Sequence, residues 1–144
     1  MTYKIMNKSD IAKVIPLFID YYNNKEEGEW NEETVYKRIH QVFSREDSYC
    51  LTAEENGKPA GFAMGYFEQY DDGFAYDLIE IVIAAELQNK GLGTEFMKEL
   101  EKRVKDKGAM LIQLQAVNDE FHAHFYEKLG YRNVSNFVLK TKML

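Results

Sequence analysis

The sequence predicts a mixed α/β (α+β) fold, in which a mostly antiparallel central sheet is flanked by about four helices. Three observations lead there. Apolar residues recur at helical spacing early in the chain and again after residue 91. In the middle, the turn dipeptides Asn56-Gly57 and Asp72-Gly73 separate three strand-like runs. Near the end, a short apolar strand is followed by one more helical repeat.

A strand opens the chain. Ile11, Val14, Ile15 and Phe18 then mark a first helix capped by Ser9 or Asp10, and Pro16 within it is expected to kink or restart it. A second helix begins at Asn31, where Glu32 and Glu33 favour the positive helix end, and it carries Val35, Ile39, Val42 and Phe43 on one side. Residues 48–54, 58–70 and 74–84 read as three antiparallel strands in a meander. Helical spacing returns from Gly91 through Leu92, Phe96, Leu100 and Val104 and ends near Gly108. Residues 111–117 form a short strand. A last helix, residues 119–129, should turn Phe121, Phe125 and Leu129 to the core and stop at Gly130. Residues 132–144 complete the expectation as a strand or hairpin.

Composition narrows the function. With 144 residues, 45% hydrophobic and 14% aromatic, residues 1–144 suffice for one domain with a real core. Two prolines and nine glycines are too few for a linker-rich chain. The start lacks the apolar stretch of a secretory signal, and the longest apolar run, residues 78–85, is broken by Glu80 and too short for a bilayer. Cys50 is the sole cysteine, which excludes an internal disulfide and fits a reducing, cytoplasmic setting. A net charge of −6 argues against nucleic acid and is compatible with a cationic substrate.

Chemistry concentrates in three places. Gln88-Asn89-Lys90-Gly91-Leu92-Gly93-Thr94 joins a buried strand to an amphipathic helix. Its glycines let backbone approach a ligand, and the first helical amides, lacking internal partners, suit a phosphate. A plain turn would use the same glycines. The preceding strand, Leu78-Ile79-Glu80-Ile81-Val82-Ile83, is apolar but for one carboxylate. Glu80 is therefore either a partly desolvated group at a cleft, suited to general-base work, or a residue on a wet sheet face. Third, His122 and Tyr126 lie four apart on the last helix and share a face. A tyrosine there serves as a proton donor or as an amphipathic core-edge residue.

In this order, the Gln-x-x-Gly-x-Gly turn and the closing Phe-Tyr-Glu-Lys-Leu-Gly-Tyr resemble the GNAT superfamily of acetyl-CoA-dependent N-acetyltransferases. The resemblance implies a sheet splayed at the cofactor site. It implies that acetyl-CoA rests its pyrophosphate on Asn89, Lys90, Gly91, Leu92, Gly93 and Thr94, with Gln88 at the motif's Arg/Gln position. The pantetheine arm would pair with Ile81, Val82 and Ile83, and a backbone N–H near Val82 would serve the thioester oxygen. Tyr126 matches the family's tyrosine beside the sulfur. Asn118 stands close to a pantetheine-binding asparagine, although the usual position holds Asp119. His122 would line the sulfur pocket, and Phe125 would belong to the cofactor-binding set.

Glu80 and Tyr126 are thus the expected catalytic pair, with no metal. The acceptor would be a primary amine, either a small polyamine or aminoglycoside-like cation or a protein amino group. Glu26, Glu27, Glu29, Trp30, Tyr66, Glu68, Tyr70, Asp71 and Asp72 fall in the segments that would surround it. A non-catalytic acyl-CoA-binding module on the same fold is the alternative, because fold does not fix activity. No membrane partner is expected, and a homodimer is among the expected states.

Overall fold

The computed structural model describes residues 1–144. In chain order it contains β1 (Thr2–Ile5), α1 (Asp10–Lys25), α2 (Glu32–Phe43), β2 (Ser48–Glu55), β3 (Lys58–Gln69), β4 (Phe74–Ile83), a 3₁₀ turn (Ala85–Leu87), α3 (Leu92–Asp106), β5 (Ile112–Leu114) and α4 (Glu120–Lys128). The five strands form one sheet in sequence order, antiparallel except for the parallel pair β4–β5. A parallel pair needs a crossover, and α3 supplies it.

Helices cover both faces. On one, Ile11, Val14, Ile15 and Phe18 of α1 and Val35, Ile39 and Val42 of α2 pack against Cys50, Phe62, Met64 and Val82. On the other, Phe96, Met97, Leu100 and Val104 of α3 pack against Leu51, Ala63, Tyr76 and Leu78.

Local chemistry explains the ends. Asn31 accepts a hydrogen bond from the Thr34 N–H, and Thr34 Oγ1 accepts one from the Asn31 N–H, which starts α2. At α1, Ser9 makes no side-chain cap. Asp10 accepts from the Asn7 N–H, and the Asn7 side chain accepts from the Asp10 N–H. Asn56 and Gly57 adopt φ of 52° and 77°, the pair of positive values that a tight hairpin turn needs.

Four expectations are corrected. α1 runs unbroken through Pro16, because buried contacts at Val14, Ile15 and Phe18 hold both sides of the proline. β5 has only three residues. Phe121 is 67% exposed instead of core-facing, and no α4 residue is buried, because the chain leaves the sheet after Leu114. Residues 132–144 form neither strand nor hairpin and stay exposed.

A bulge decides where Glu80 goes. Met64 pairs with Glu80 and Gly65 with Leu78, so Ile79 is an extra residue in β4. Strict alternation would place Leu78, Glu80 and Val82 on one face. The bulge reverses the phase: Leu78 packs toward α3, while Val82 packs toward α1 and α2. Gly65 permits the close approach. A Cβ there would lie 2.2 Å from the Asp77 carbonyl oxygen and 2.7 Å from the Tyr76 ring. Gly65→Ala should therefore destabilise the fold by about 1–3 kcal/mol, read as a lower urea midpoint at unchanged slope.

Candidate active site

β4 and β5 pair only at Tyr76–Ile112, Asp77–Gln113 and Leu78–Leu114. Beyond that point they part, and the outer edge of β4 from Ile79 onward faces a gap. A cavity of about 490 Å³ fills it. Its walls are Ile79, Glu80, Ile81 and Ile83 of β4, Leu114 to Val117 after β5, and Phe121, His122, Phe125 and Tyr126 of α4. The turn at Gln88, Asn89, Gly91, Gly93 and Thr94 closes one end, and Tyr21 and Tyr22 of α1 stand at the side.

The turn is built as a cradle. Asn89 (φ 63°) and Gly91 (φ 79°) take left-handed conformations, and Gly91 caps α3 without a side-chain acceptor. The first α3 amides therefore keep their partial positive charge for a ligand. A Cβ at Gly93 would sit 3.3 Å from the Phe125 ring, so the helix start and the α4 ring are already in close contact. Gln88 fixes the turn by donating to the Ile83 carbonyl at 3.0 Å and accepting from Lys25 Nζ at 2.8 Å.

Glu80 keeps its side chain only 10% exposed, and both oxygens are engaged. Tyr22 O–H donates to Oε1, while Arg38 donates through Nη2 at 3.1 Å and Nε at 3.4 Å to Oε2. Burial and the adjacent Glu80 charge push the Tyr22 phenol well above its ordinary value. Burial, then the Glu80 charge, raise the Tyr126 phenol to about 12, so it remains protonated at neutral pH. A second polar group faces the same cavity. His122 Nδ1 lies 2.7 Å from Asp119 Oδ1, and its Nε2 lies 3.4 Å from the Tyr21 hydroxyl and 4.0 Å from Glu26. Asp119 also caps α4 by accepting from the His122 N–H at 2.8 Å.

Eleven of the residues singled out from sequence meet around this cavity: Glu80, Ile81, Ile83, Gln88, Asn89, Gly91, Gly93, Thr94, His122, Phe125 and Tyr126. Val82 instead buries its side chain toward α1 and α2. Lys90, Leu92 and Asn118 do not line the cavity, and Asn118 is exposed. Of the acid-aromatic set, Glu26 alone is brought to His122. Trp30 packs edge-on against Phe18, and Tyr66 is covered by Arg45 at 3.6 Å. Sequence reasoning missed Tyr21, Tyr22 and Arg38. The tyrosines extend the α1 repeat past Phe18, which was the available signal; Arg38 on a polar face gave none.

A model of the acetyltransferase (GNAT) family matches residues 13–131. The uncharacterized protein YxbD of Bacillus subtilis (strain 168) is 36% identical over 94 residues, 64% of this chain and 54% of that protein. The chain thus spans about half the length of the curated relative it matches. Among solved structures, a GNAT family acetyltransferase of Staphylococcus aureus superposes with a TM-score of 0.73 at 22% identity, over 99% of this chain and 98% of the other. An aminoglycoside 6′-N-acetyltransferase of Acinetobacter haemolyticus gives 0.73 at 15% identity, over 100% and 99%.

The raised Tyr126 phenol has a measurable consequence. Between about pH 10 and 12 an unfolded chain releases a proton that folded Tyr126 retains, so stability falls as pH rises through that window. Tyr126→Phe should lose about 1–2 kcal/mol less than the native chain between pH 9 and 12, measured by urea unfolding at each pH.

Proposed function

The chain belongs to the acetyltransferase (GNAT) family, and we propose that it is an N-acetyltransferase that passes the acetyl group of acetyl-CoA to a primary amine by direct attack. One observation carries this reading: the α3 cradle, the free edge of β4, Glu80 and Tyr126 all open onto one cavity. The donor set suits acetyl-CoA. Unpartnered amides from Asn89 to Thr94 would hold its diphosphate, with Gln88 steadying the turn, and the edge at Ile81, Val82 and Ile83 would pair with its amide-bearing arm. When bound, it supplies a thioester already activated for attack.

The remaining chemistry falls to this chain. A lysine-like amine is protonated below about pH 10.4 and cannot attack in that form. Glu80 takes its proton, with Arg38 and Tyr22 fixing the carboxylate at the cleft wall. His122, oriented by Asp119, lines the same end. Tyr126 holds its proton toward the departing sulfur. Its phenol, at about 12, stands above an ordinary thiol near 8.5, so it acts chiefly by hydrogen bonding to the developing charge. Carboxylates and tyrosine rings around Glu80 and Glu26 suit a cationic acceptor, a small polyamine or aminoglycoside-like amine in preference to a bulky one. Holding both reactants in one cleft removes much of the entropic barrier.

The test is thiol release from acetyl-CoA across a panel of amines. Binding of acetyl-CoA without acetylation of any amine would instead support a non-catalytic binding module. Gly93→Val, which presses a branched side chain on Phe125 at the mouth of the cradle, should weaken acetyl-CoA binding tenfold or more by calorimetry, while circular dichroism stays native. Glu80→Gln should lower the rate on the order of 10²-fold and alter the acidic limb of the pH profile. Tyr126→Phe should lower kcat on the order of 10²-fold at nearly unchanged acetyl-CoA affinity.

A further inference from the structure

Acetylating a primary amine takes two protons from one nitrogen. The amine arrives as an ammonium with three N–H bonds, and the amide product keeps one. Glu80 accounts for one acceptor, and Tyr22 and Arg38 already donate to both of its oxygens. The phenols around the cavity give no second acceptor. Burial pushes Tyr21 and Tyr126 up to about 12 and Tyr22 higher still, so all three keep their protons at neutral pH.

His122 has what they lack. It lines the cavity with its side chain 16% exposed. Asp119 Oδ1 stands 2.7 Å from Nδ1, and the His122 backbone N–H, then the ring, hold that carboxyl below its ordinary value. An anionic oxygen at this distance takes the Nδ1 proton, which leaves the Nε2 lone pair as the base of the neutral ring. Little competes for that lone pair. The Tyr21 hydroxyl lies 3.4 Å from Nε2, at the limit of a hydrogen bond, and has Glu26 as another acceptor at 3.3 Å. The titratable groups facing the ring are Asp119 at the start of α4 and Tyr21 and Glu26 at the end of α1, with Glu26 4.0 Å from Nε2. Both bases stand at one corner. Tyr22, on Glu80, and Tyr21, beside His122, are consecutive on α1 with ring centroids 4.9 Å apart, and Tyr126 is in electrostatic reach of both Glu80 and Tyr21.

We propose that His122 Nε2 is a second base of the reaction, accepting the amine proton that Glu80 does not take; this rests on the N-acetyltransferase reading above. The first proton leaves the ammonium for Glu80 and frees the electron pair that forms the N–C bond. As the C–S bond breaks, its electron pair leaves on sulfur against the Tyr126 hydroxyl, and the second proton passes from nitrogen to Nε2. Both protons then go to solvent and one returns to the thiolate, so each turnover releases one proton. The ring is suited to that delivery, because its partners Glu26 and Asp119 are 29% and 45% exposed, against 10% for Glu80.

Nuclear magnetic resonance of the native chain with ¹⁵N-labelled histidine should show His122 as the Nδ1–H tautomer, its signals assigned by their loss in His122→Gln. An Nε2–H tautomer overturns the proposal whatever the activity. His122→Gln keeps the backbone N–H that caps α4 on Asp119, so circular dichroism should stay native. The variant should lower kcat on the order of 10²-fold at unchanged acetyl-CoA affinity. It should also erase the part of the acidic limb between about pH 5 and 8, where histidine ordinarily titrates and where protonation of Nε2 removes the base as pH falls. Full rate with an unchanged pH profile, or a loss matched by weaker acetyl-CoA binding, would overturn the second base and leave acetyl transfer standing. A native chain that acetylates no amine would overturn the acetyl-transfer reading itself, and the second base with it.

Discussion

The candidate site in this fold depends on the parting of β4 from β5 after three paired residues. Had the ladder continued, the β4 edge from Ile79 to Ile83 would be satisfied by a neighbour and no cavity would exist. The structure manages the unpaired edge in three ways. The bulge at Ile79 turns the strand, the 3₁₀ turn ends the strand by bending it toward the α3 cradle, and α4 lies across the opening. Free backbone groups at the edge and free amides at the α3 start then belong to one continuous polar track through an otherwise apolar pocket.

The bulge also decides the company Glu80 keeps. On the α3 side it would meet Leu100 and Phe96; on the α1–α2 side it meets the Tyr22 hydroxyl and the Arg38 guanidinium. A carboxylate so little exposed is costly without partners, and these two give each oxygen a donor. Because Arg38 is itself 38% exposed, solvent screens part of that attraction. The pair therefore acts more through orientation than through net stability. Tyr126 completes the balance from α4, its phenol held neutral by burial and by the same negative charge.

Much of this was legible in the amino acids. Asn56-Gly57 and Asp72-Gly73 define the meander, Asn31 caps α2, and Gly91 and Gly93 mark the cradle. Each is a local signal whose meaning needs no tertiary context. What escaped the sequence is non-local. The phase reversal at Ile79 depends on register against Gly65: alternation alone puts Leu78 and Val82 on one face, whereas the bulge sends them to opposite faces. Pro16 looked like a break because the pull of the core on both sides of it is invisible in periodicity. Phe121 and residues 132–144 have apolar patterns that imply burial, yet the short β5 leaves nothing within the chain for them to pack on. Arg38 and Tyr22 join Glu80 from 42 and 58 residues away.

The interrupted ladder also makes the stability of this protein depend on its surroundings. Apart from the Ile83 carbonyl, which Gln88 takes, the outward backbone groups along Ile79 to Ile83 that other sheets satisfy internally are here left for whatever enters the gap. Any molecule that pairs with them binds the folded chain and has nothing equivalent to hold in the unfolded one. At a hundred times its dissociation constant such a molecule adds about 2.7 kcal/mol, a sizeable share of a small domain's total. Resistance to heat and to proteolysis thus becomes a function of ligand supply, and the emptied protein is the one a cell would clear first.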